Sequence, residues 1–409
     1  MLFRSLVRSR AKDRRQARVM ARRSATACIV GIGETEYRRW GGIQDRTEFQ
    51  LACQAIGAAA NDAGLPVKAL DGFATYAELS IDASTLQLAL GLPRLRFSSS
   101  VWGGRGGGSC GALAHAAMAI ESGHAEHVVV FRSLAQGQSR RYGRFDPQRA
   151  QGNMAAPYGL FSAPQMLALV LQRYAHQYGL DPADMAEVAL TCRDNASRNP
   201  RAVMHGKPLT LEQCLQARPI ADPLRLYDCC MESDGACAVI VTSLERARDL
   251  GKKPVEILAA TEYGEGGWGV GPMGSHNMSD ARYTTGGQRD LGRELFAMAQ
   301  LEAKDVDVAQ FYDHFTGMVL IELEDFGFCD PGAAASFARN GNLRWPDGEL
   351  PINTAGGSLS EAYVHGLNHV AEAVRQLRGE STSQVRDAKV CLVTGGAGIS
   401  PSSAALLGA

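Results

Sequence analysis

The chain has 409 residues, 45% of them hydrophobic and 21% charged, which excludes a disordered or solvating protein and suits two domains or one duplicated body. Its net charge of −1 conceals a basic head: residues 1–24 hold nine Arg or Lys against one acid, Asp13, so the remainder is mildly acidic and offers no nucleic-acid surface. No apolar run reaches the ~18 residues that span a bilayer, and the ten cysteines are scattered without a C-x-x-C pair, so a reducing, cytoplasmic setting is expected.

Residues 1–25 read as a basic, disordered tail. A membrane- or nucleic-acid-contacting role is electrostatically reasonable for it, and sparse Ser argues against a transit peptide. Organised sequence begins only at Thr26, which favours Met20 as the start. The first strand is expected at Ala27–Gly31 and a helix at Thr47–Ala63, where apolar residues fall at helical spacing. Gly103–Gly108 opens a helix from Cys110 to Ser122, and His127–Phe131 reads as a short strand buried between helical layers. An inserted region at about 135–225 follows, with polar loops and two amphipathic helices, Gln165–Tyr178 and Pro182–Arg198. Strand Ala236–Thr242 and helix Leu244–Leu250 close the first half. The second half replays the order: strand Val255–Ala260, helix Gly287–Ala299, strand Val308–Tyr312, helix Gly317–Phe326, helix Tyr363–Leu377 and strand Lys389–Val393. This alternation predicts an α/β fold of two like halves, residues 26–250 and 251–409, with sites at their shared interface.

Several motifs fail on inspection. Gly31-Ile32-Gly33 begins like a dinucleotide fingerprint, but Glu36 stands where the third glycine belongs. Gly103–Gly108 lacks the Gly-Lys-Ser/Thr of a phosphate loop. The pairs His124/His127 and His365/His369 lack carboxylate or thiolate partners, so no metal site is expected, and Cys229-Cys230 reads as buried, inert thiols.

Chemistry-bearing residues gather in four segments. They are Gly106-Gly107-Gly108-Ser109-Cys110-Gly111, Phe311-Tyr312-Asp313-His314-Phe315, the pair Asn353–Gly357 and Glu361–Gly366, and Thr394–Gly398. Backbone amides at helix starts are donors for a developing oxyanion, and Tyr312, His314, Tyr363 and His365 place ionisable groups near them. A tyrosine is more often a core aromatic with a satisfied hydroxyl. Here both sit beside polar or Gly neighbours where the chain crosses between elements, which weakens that alternative without overturning it.

From Ala27 onward, the segments ACIVGIGETEY, YDCCMESDGACAVIVTSLERARDL and LPINTAGGSLSEAYVHG resemble the thiolase superfamily, in its sterol-carrier-protein-X or lipid-transfer-protein branch. Within that branch, FYDHFTGMVLIELEDFGFCDPG and EAYVHGLNHVAEAVRQLRG are similar to the thiolase-like aldolases of steroid side-chain degradation. The resemblance implies a duplicated, layered αβαβα fold. It also shows departures from a thiolase. The acylated-Cys position falls on Gly108, with Cys110 displaced by two; the base position falls on Tyr363 and the thioester-polarising position on Tyr312. The final cysteine position falls on Leu392, with Cys391 one place off and pointing to the other strand face.

Such a pattern implies a thiolase that has lost its acyl-enzyme chemistry. Retro-aldol cleavage of a 3-hydroxyacyl-CoA, to a ketone and a shorter acyl-CoA such as propionyl-CoA or acetyl-CoA, keeps the pocket and needs no nucleophile. Tyr312 and Tyr363 are the expected acid and base, in either order, with Asp313, His314, His365 and Cys110 supporting them. Gly108, Asn353, Gly356, Gly357, Gly395 and Gly396 are expected to line the thioester pocket. No cofactor is expected beyond the CoA of the substrate. A surviving thiolase using Cys110, or a non-catalytic acyl-CoA or lipid carrier, are the alternatives. The resemblance further implies a homodimer core with a separate OB-fold/zinc-ribbon subunit, giving a heterotetramer, and Glu262–Gly287, with Trp268 and Met273, is one place for it to dock.

Overall fold

Strand β1 (Ala27–Glu34) and helix α1 (Glu48–Ala63) begin the computed structural model, which describes residues 26–77, 80–102, 105–138, 156–264, 279, 282–285, 287–398 and 401–409. The basic head and most of the expected docking stretch, including Trp268 and Met273, lie outside these residues. Thr47 and Gln50 form a capping box that starts α1, and Gly64 ends it in the left-handed region. The Gly-Ile-Gly of β1 has a packing role: a Cβ on Gly31 or Gly33 would lie 2.2 Å from a carbonyl oxygen of α1. Only glycine lets this strand and helix approach so closely.

Strands β2 (Gly72–Tyr76) and β3 (Phe97–Val101), which the sequence pattern did not announce, lead to helix α2 (Ser109–Glu121) and strand β4 (His127–Leu134). The inserted region contributes α3 (Ala163–Tyr178) and α4 (Pro182–Arg198) before β5 (Ser233–Ser243). The second half runs β6 (Val255–Tyr263), α5 (Gln288–Ala299), β7 (Val308–Gln310), α6 (Thr316–Asp325), α7 (Leu367–Arg378), β8 (Val390–Gly395) and β9 (Ser402–Gly408).

One strand path runs β7-β8-β9-β6-β1-β5-β4-β2-β3. The pairs β2–β4 and β7–β8 are parallel, while β4–β5, β5–β1, β8–β9 and β9–β6 are antiparallel. Each half therefore repeats the same internal order, and the two meet through a short antiparallel pairing of β1 with β6 at Cys28 and Ile29.

The core divides accordingly. Val30, Leu51, Ile56 and Ile240 pack α1 on the outer face of the first half-sheet. Leu113 of α2 and Val370 and Val374 of α7 pack with Ile29, Val239, Cys391 and Leu407 from both halves, so these two helices form a central layer. Leu171, Val188, Leu295 and Leu320 cover the outer face of the second half with Leu392 and Leu406. The result is the expected αβαβα stack, with Cys391 and Leu392 on opposite faces of β8.

Two expected elements end elsewhere. The helix read over Tyr363–Leu377 begins only at Leu367, because His365 (φ +51°) and Gly366 (φ +85°) are left-handed. Strand β7 stops at Gln310, so Phe311–His314 leave the sheet, and Tyr312 and Asp313 meet His369 of α7. Among the described residues, no helix is long and apolar enough to cross a membrane.

Candidate active site

Where β7 ends, Asn353 clamps the departing chain. Its Oδ1 accepts from Phe311 N at 2.7 Å and its Nδ2 donates to Phe311 O at 3.0 Å. The next residue, Tyr312, donates its backbone N–H to Thr394 Oγ1 at 2.8 Å. Its side chain is fully buried, and its hydroxyl lies 2.8 Å from that of Tyr363. Burial pushes the Tyr312 phenol well above its ordinary range, so it stays protonated. The fit around it is tight: a Cβ on Gly106 would lie 1.7 Å from the Tyr312 hydroxyl oxygen, and one on Gly366 would lie 3.0 Å from its ring.

The Tyr363–Gly366 loop is fixed from three sides. Tyr363 N donates to Ser233 Oγ at 3.1 Å, Tyr76 donates its hydroxyl to the His365 carbonyl at 2.9 Å, and Arg132 Nε donates to His365 Nδ1 at 3.1 Å. Tyr363, His365 and His314 open on a cavity of about 820 Å³. Its wall also carries apolar Met204, Leu226 and Phe315 and the cations Arg39 and Arg193. This is a room for a long apolar acyl group with positive charge at its border.

The expected supporting residues separate by position. His314 faces the cavity and gives its Nδ1–H to the Tyr312 carbonyl at 3.1 Å, and burial pushes it down to about 4, so it is neutral. Asp313 serves as an anchor behind the pair. It accepts from the backbone N–H of Ser358 (2.7 Å) and Leu359 (3.1 Å) and lies 3.3 Å from His369 Nε2. Burial acts to raise Asp313, but the hydrogen bonds from His369 and these N–H groups hold it below the usual carboxylate range.

Cys110 does not reach the cavity. It is fully buried, its Sγ faces Val393 O at 3.6 Å, and burial pushes the thiol up to about 12. Its backbone N–H is engaged by Ser403 Oγ at 3.1 Å, which removes it as an oxyanion donor. Gly108, Asn353, Gly356, Gly357, Gly395 and Gly396 are not part of the cavity wall. A Cβ on Gly108 would lie 2.7 Å from Tyr76 Cβ, one on Gly357 2.2 Å from Asp313 Oδ2, and one on Gly395 2.6 Å from Ser109 Oγ. These glycines let backbone and side chains approach one another.

Arg132, Tyr76 and Arg193 were missed by the sequence reading. A lone arginine at the end of the apolar strand HVVVFRSL was the available signal for Arg132. Arg193 on α4 reaches the site through the inserted region, where its Nε donates to Ser360 Oγ at 3.0 Å. Among the described residues, no group of three His, Cys, Asp or Glu could hold a metal ion.

Behind the loop, Glu361 accepts from Asn199 Nδ2 (3.0 Å) and Asn368 Nδ2 (2.9 Å), and burial, with Glu34 nearby, pushes its carboxyl up to about 8. The folded chain therefore holds a proton that the unfolded chain has already released. Stability from this group is complete below the unfolded value and is lost as pH rises through about 8. Melting temperature is expected to decline as pH rises from about 4.5 to about 8 and to level off above, and Glu361→Gln to flatten that decline. An identical slope in the variant would count against this assignment.

Residues 271–408 match a family model described as Thiolase C-terminal domain-like. A 17-hydroxy-3-oxo-4-pregnene-20-carboxyl-CoA lyase of Mycobacterium tuberculosis is 39% identical, over 94% of this chain and 100% of its own. A steroid side-chain-cleaving aldolase of Thermomonospora curvata is 41% identical, over 94% and 98%. Among solved structures, the Ltp2-ChsH2(DUF35) aldolase aligns with a TM-score of 0.87 at 40% identity, covering 94% of this chain and 98% of that one. Human mitochondrial 3-ketoacyl-CoA thiolase, at 15% identity and a TM-score of 0.68 over 94% and 99%, shares the fold.

Proposed function

This chain belongs to the steroid side-chain-cleaving aldolases of the thiolase superfamily, and we propose that it cleaves a steroid- or sterol-derived 3-hydroxyacyl-CoA thioester by a retro-aldol reaction. The products are a ketone and a shorter acyl-CoA such as propionyl-CoA or acetyl-CoA. One observation carries this reading: the Tyr363 phenol stands at the cavity with the buried Tyr312 hydroxyl 2.8 Å behind it, while the Cys110 sulfur is buried away from the cavity.

Tyr363, which faces the cavity, takes the proton of the β-hydroxyl. The O–H pair becomes the carbonyl π bond, the C–C bond breaks, and its electrons pass to the α-carbon as a thioester enolate. Tyr312, kept protonated by burial, donates to the Tyr363 oxygen and stabilises the phenolate that this step requires. Proton return to the α-carbon completes the balance, so no cofactor is consumed.

The ten cysteines are all free thiols, which supports work in the reducing cytoplasm. The 40%-identical solved aldolase is an Ltp2-ChsH2(DUF35) assembly. For this chain we likewise assign a homodimer core and a separate OB-fold/zinc-ribbon subunit, a heterotetramer.

The decisive assay supplies steroid 3-hydroxyacyl-CoA and follows ketone, shortened acyl-CoA and labelled free CoA. Equal ketone and acyl-CoA without label incorporation is expected. Label incorporation would indicate a thiolase, and binding without turnover a carrier. Cys110→Ala is expected to keep activity within a few-fold, since the thiol neither ionises nor reaches the cavity; a dead variant with acyl-Cys110 trapped in the parent enzyme would reverse the conclusion. Running the same assay on the chain alone checks the partner, because full activity there would remove it.

A further inference from the structure

Arg132 is a fully buried guanidinium on β4, in the interior of the first half. A charge taken out of water is costly unless a partner makes use of it. Its Nε–H donates to His365 Nδ1 at 3.1 Å. Guanidinium nitrogens have hydrogens to give and no lone pair to accept with, so Nδ1 must be the lone-pair nitrogen of the ring. The proton of the neutral imidazole therefore sits on Nε2. A second proton would have to enter at Nδ1, against the guanidinium.

The rest of the loop holds the same orientation. His365 is left-handed at φ +51°, its carbonyl accepts from Tyr76, and its ring stands at 81° to that of Tyr363 with centroids 5.1 Å apart. His365 shares the cavity wall with Tyr363. His314, on the same wall, has the opposite arrangement, because its Nδ1–H is given to a carbonyl.

We infer that Arg132 is a positioning residue that fixes His365 as a neutral Nε2–H donor to the enolate oxygen formed when the substrate's C–C bond breaks. The inference rests on the retro-aldol reading. As the bond pair moves onto the α-carbon, charge develops on the thioester oxygen, and a preplaced donor binds that oxyanion more strongly than the starting carbonyl. A neutral imidazole N–H holds the charge without giving its proton to oxygen, which leaves protonation to occur at carbon.

Four variants and one spectrum test this. Glutamine places an amide N–H where Nε2–H lies, whereas asparagine places one where Nδ1 lies. Loss of an oxyanion donor costs about 10²–10³-fold in kcat. Arg132→Met and His365→Asn are expected to lose kcat on that scale with KM nearly unchanged, while Arg132→Lys and His365→Gln recover at least about tenfold of it. Nitrogen-15 NMR of histidine-labelled wild-type protein is expected to show His365 Nδ1 unprotonated and Nε2 protonated, a readout independent of turnover and of whether Arg132→Met folds. A wild-type signal from protonated Nδ1, or equal activity in the Asn and Gln variants and in the Met and Lys variants, would overturn the role of Arg132. Absence of any ketone product from the wild type would instead overturn the retro-aldol reading, and the enolate assignment with it.

Discussion

Tyr363→Phe and Tyr312→Phe are each expected to lower kcat by about 10²–10⁴-fold, with acyl-CoA affinity and melting temperature close to those of the parent. Each change removes one oxygen and leaves the ring in place. For Tyr363, which lines the cavity, the lost oxygen is the one that takes the proton of the substrate hydroxyl in the proposed reaction. For Tyr312 it is a buried donor 2.8 Å behind the first, whose loss leaves a Tyr363 phenolate without support. Because both act on one proton, the double variant is expected to be little worse than the poorer single one. Steady-state kinetics with separate kcat and KM, beside a thermal melt, checks this. Turnover within a few-fold of the parent in both single variants would remove the pair from the mechanism.

Gly106→Ala, a change of one methyl group outside the cavity wall, is expected to be nearly as damaging as Tyr312→Phe. The new Cβ would fall 1.7 Å from the Tyr312 hydroxyl oxygen and 2.6 Å from Cζ, so the phenol or the backbone must move. Either shift breaks the 2.8 Å contact with Tyr363. Overpacking adds an expected loss of about 1–3 kcal/mol in stability. The diagnostic is non-additivity: in a Tyr312→Phe background the methyl group should cost little further activity. A Gly106→Ala enzyme of normal kcat would show that the glycine turn can give way.

The parts of the fold legible in the sequence were those with strong local signals. Helix α1 had its cap residues and helical spacing, and β4 and β5 their apolar runs. By contrast, β3 is Phe-Ser-Ser-Ser-Val, and its serines carry no apolar alternation. Its strand is dictated by parallel pairing with β2, a tertiary effect. The apolar spacing of α7 ran backward through Val364 and disguised the loop that places Tyr363 and His365, because nothing local marks a histidine that adopts φ +51°. Within the site, resemblance brought out the two tyrosines. The glycines were expected at the substrate because glycine permits close approach, yet what approaches Gly108, Gly356, Gly357 and Gly395 is Tyr76, Ala196, Asp313 and Ser109 in turn. Sequence could specify the need for closeness but not which neighbour required it.

By the resemblance to thiolases, the acylated-cysteine position falls on Gly108. A cysteine there would be crowded, since Tyr76 Cβ lies 2.7 Å and Val101 Cβ 3.2 Å from where its Cβ would go. Tyr76 cannot simply withdraw, since its hydroxyl supports the His365 carbonyl and thereby the loop bearing Tyr363. Acyl transfer from this position would need changes at Gly108, Tyr76 and the loop together. Acyl transfer from position 108 and cleavage through the Tyr363 loop therefore make competing demands on one side chain, Tyr76, and no single substitution serves both.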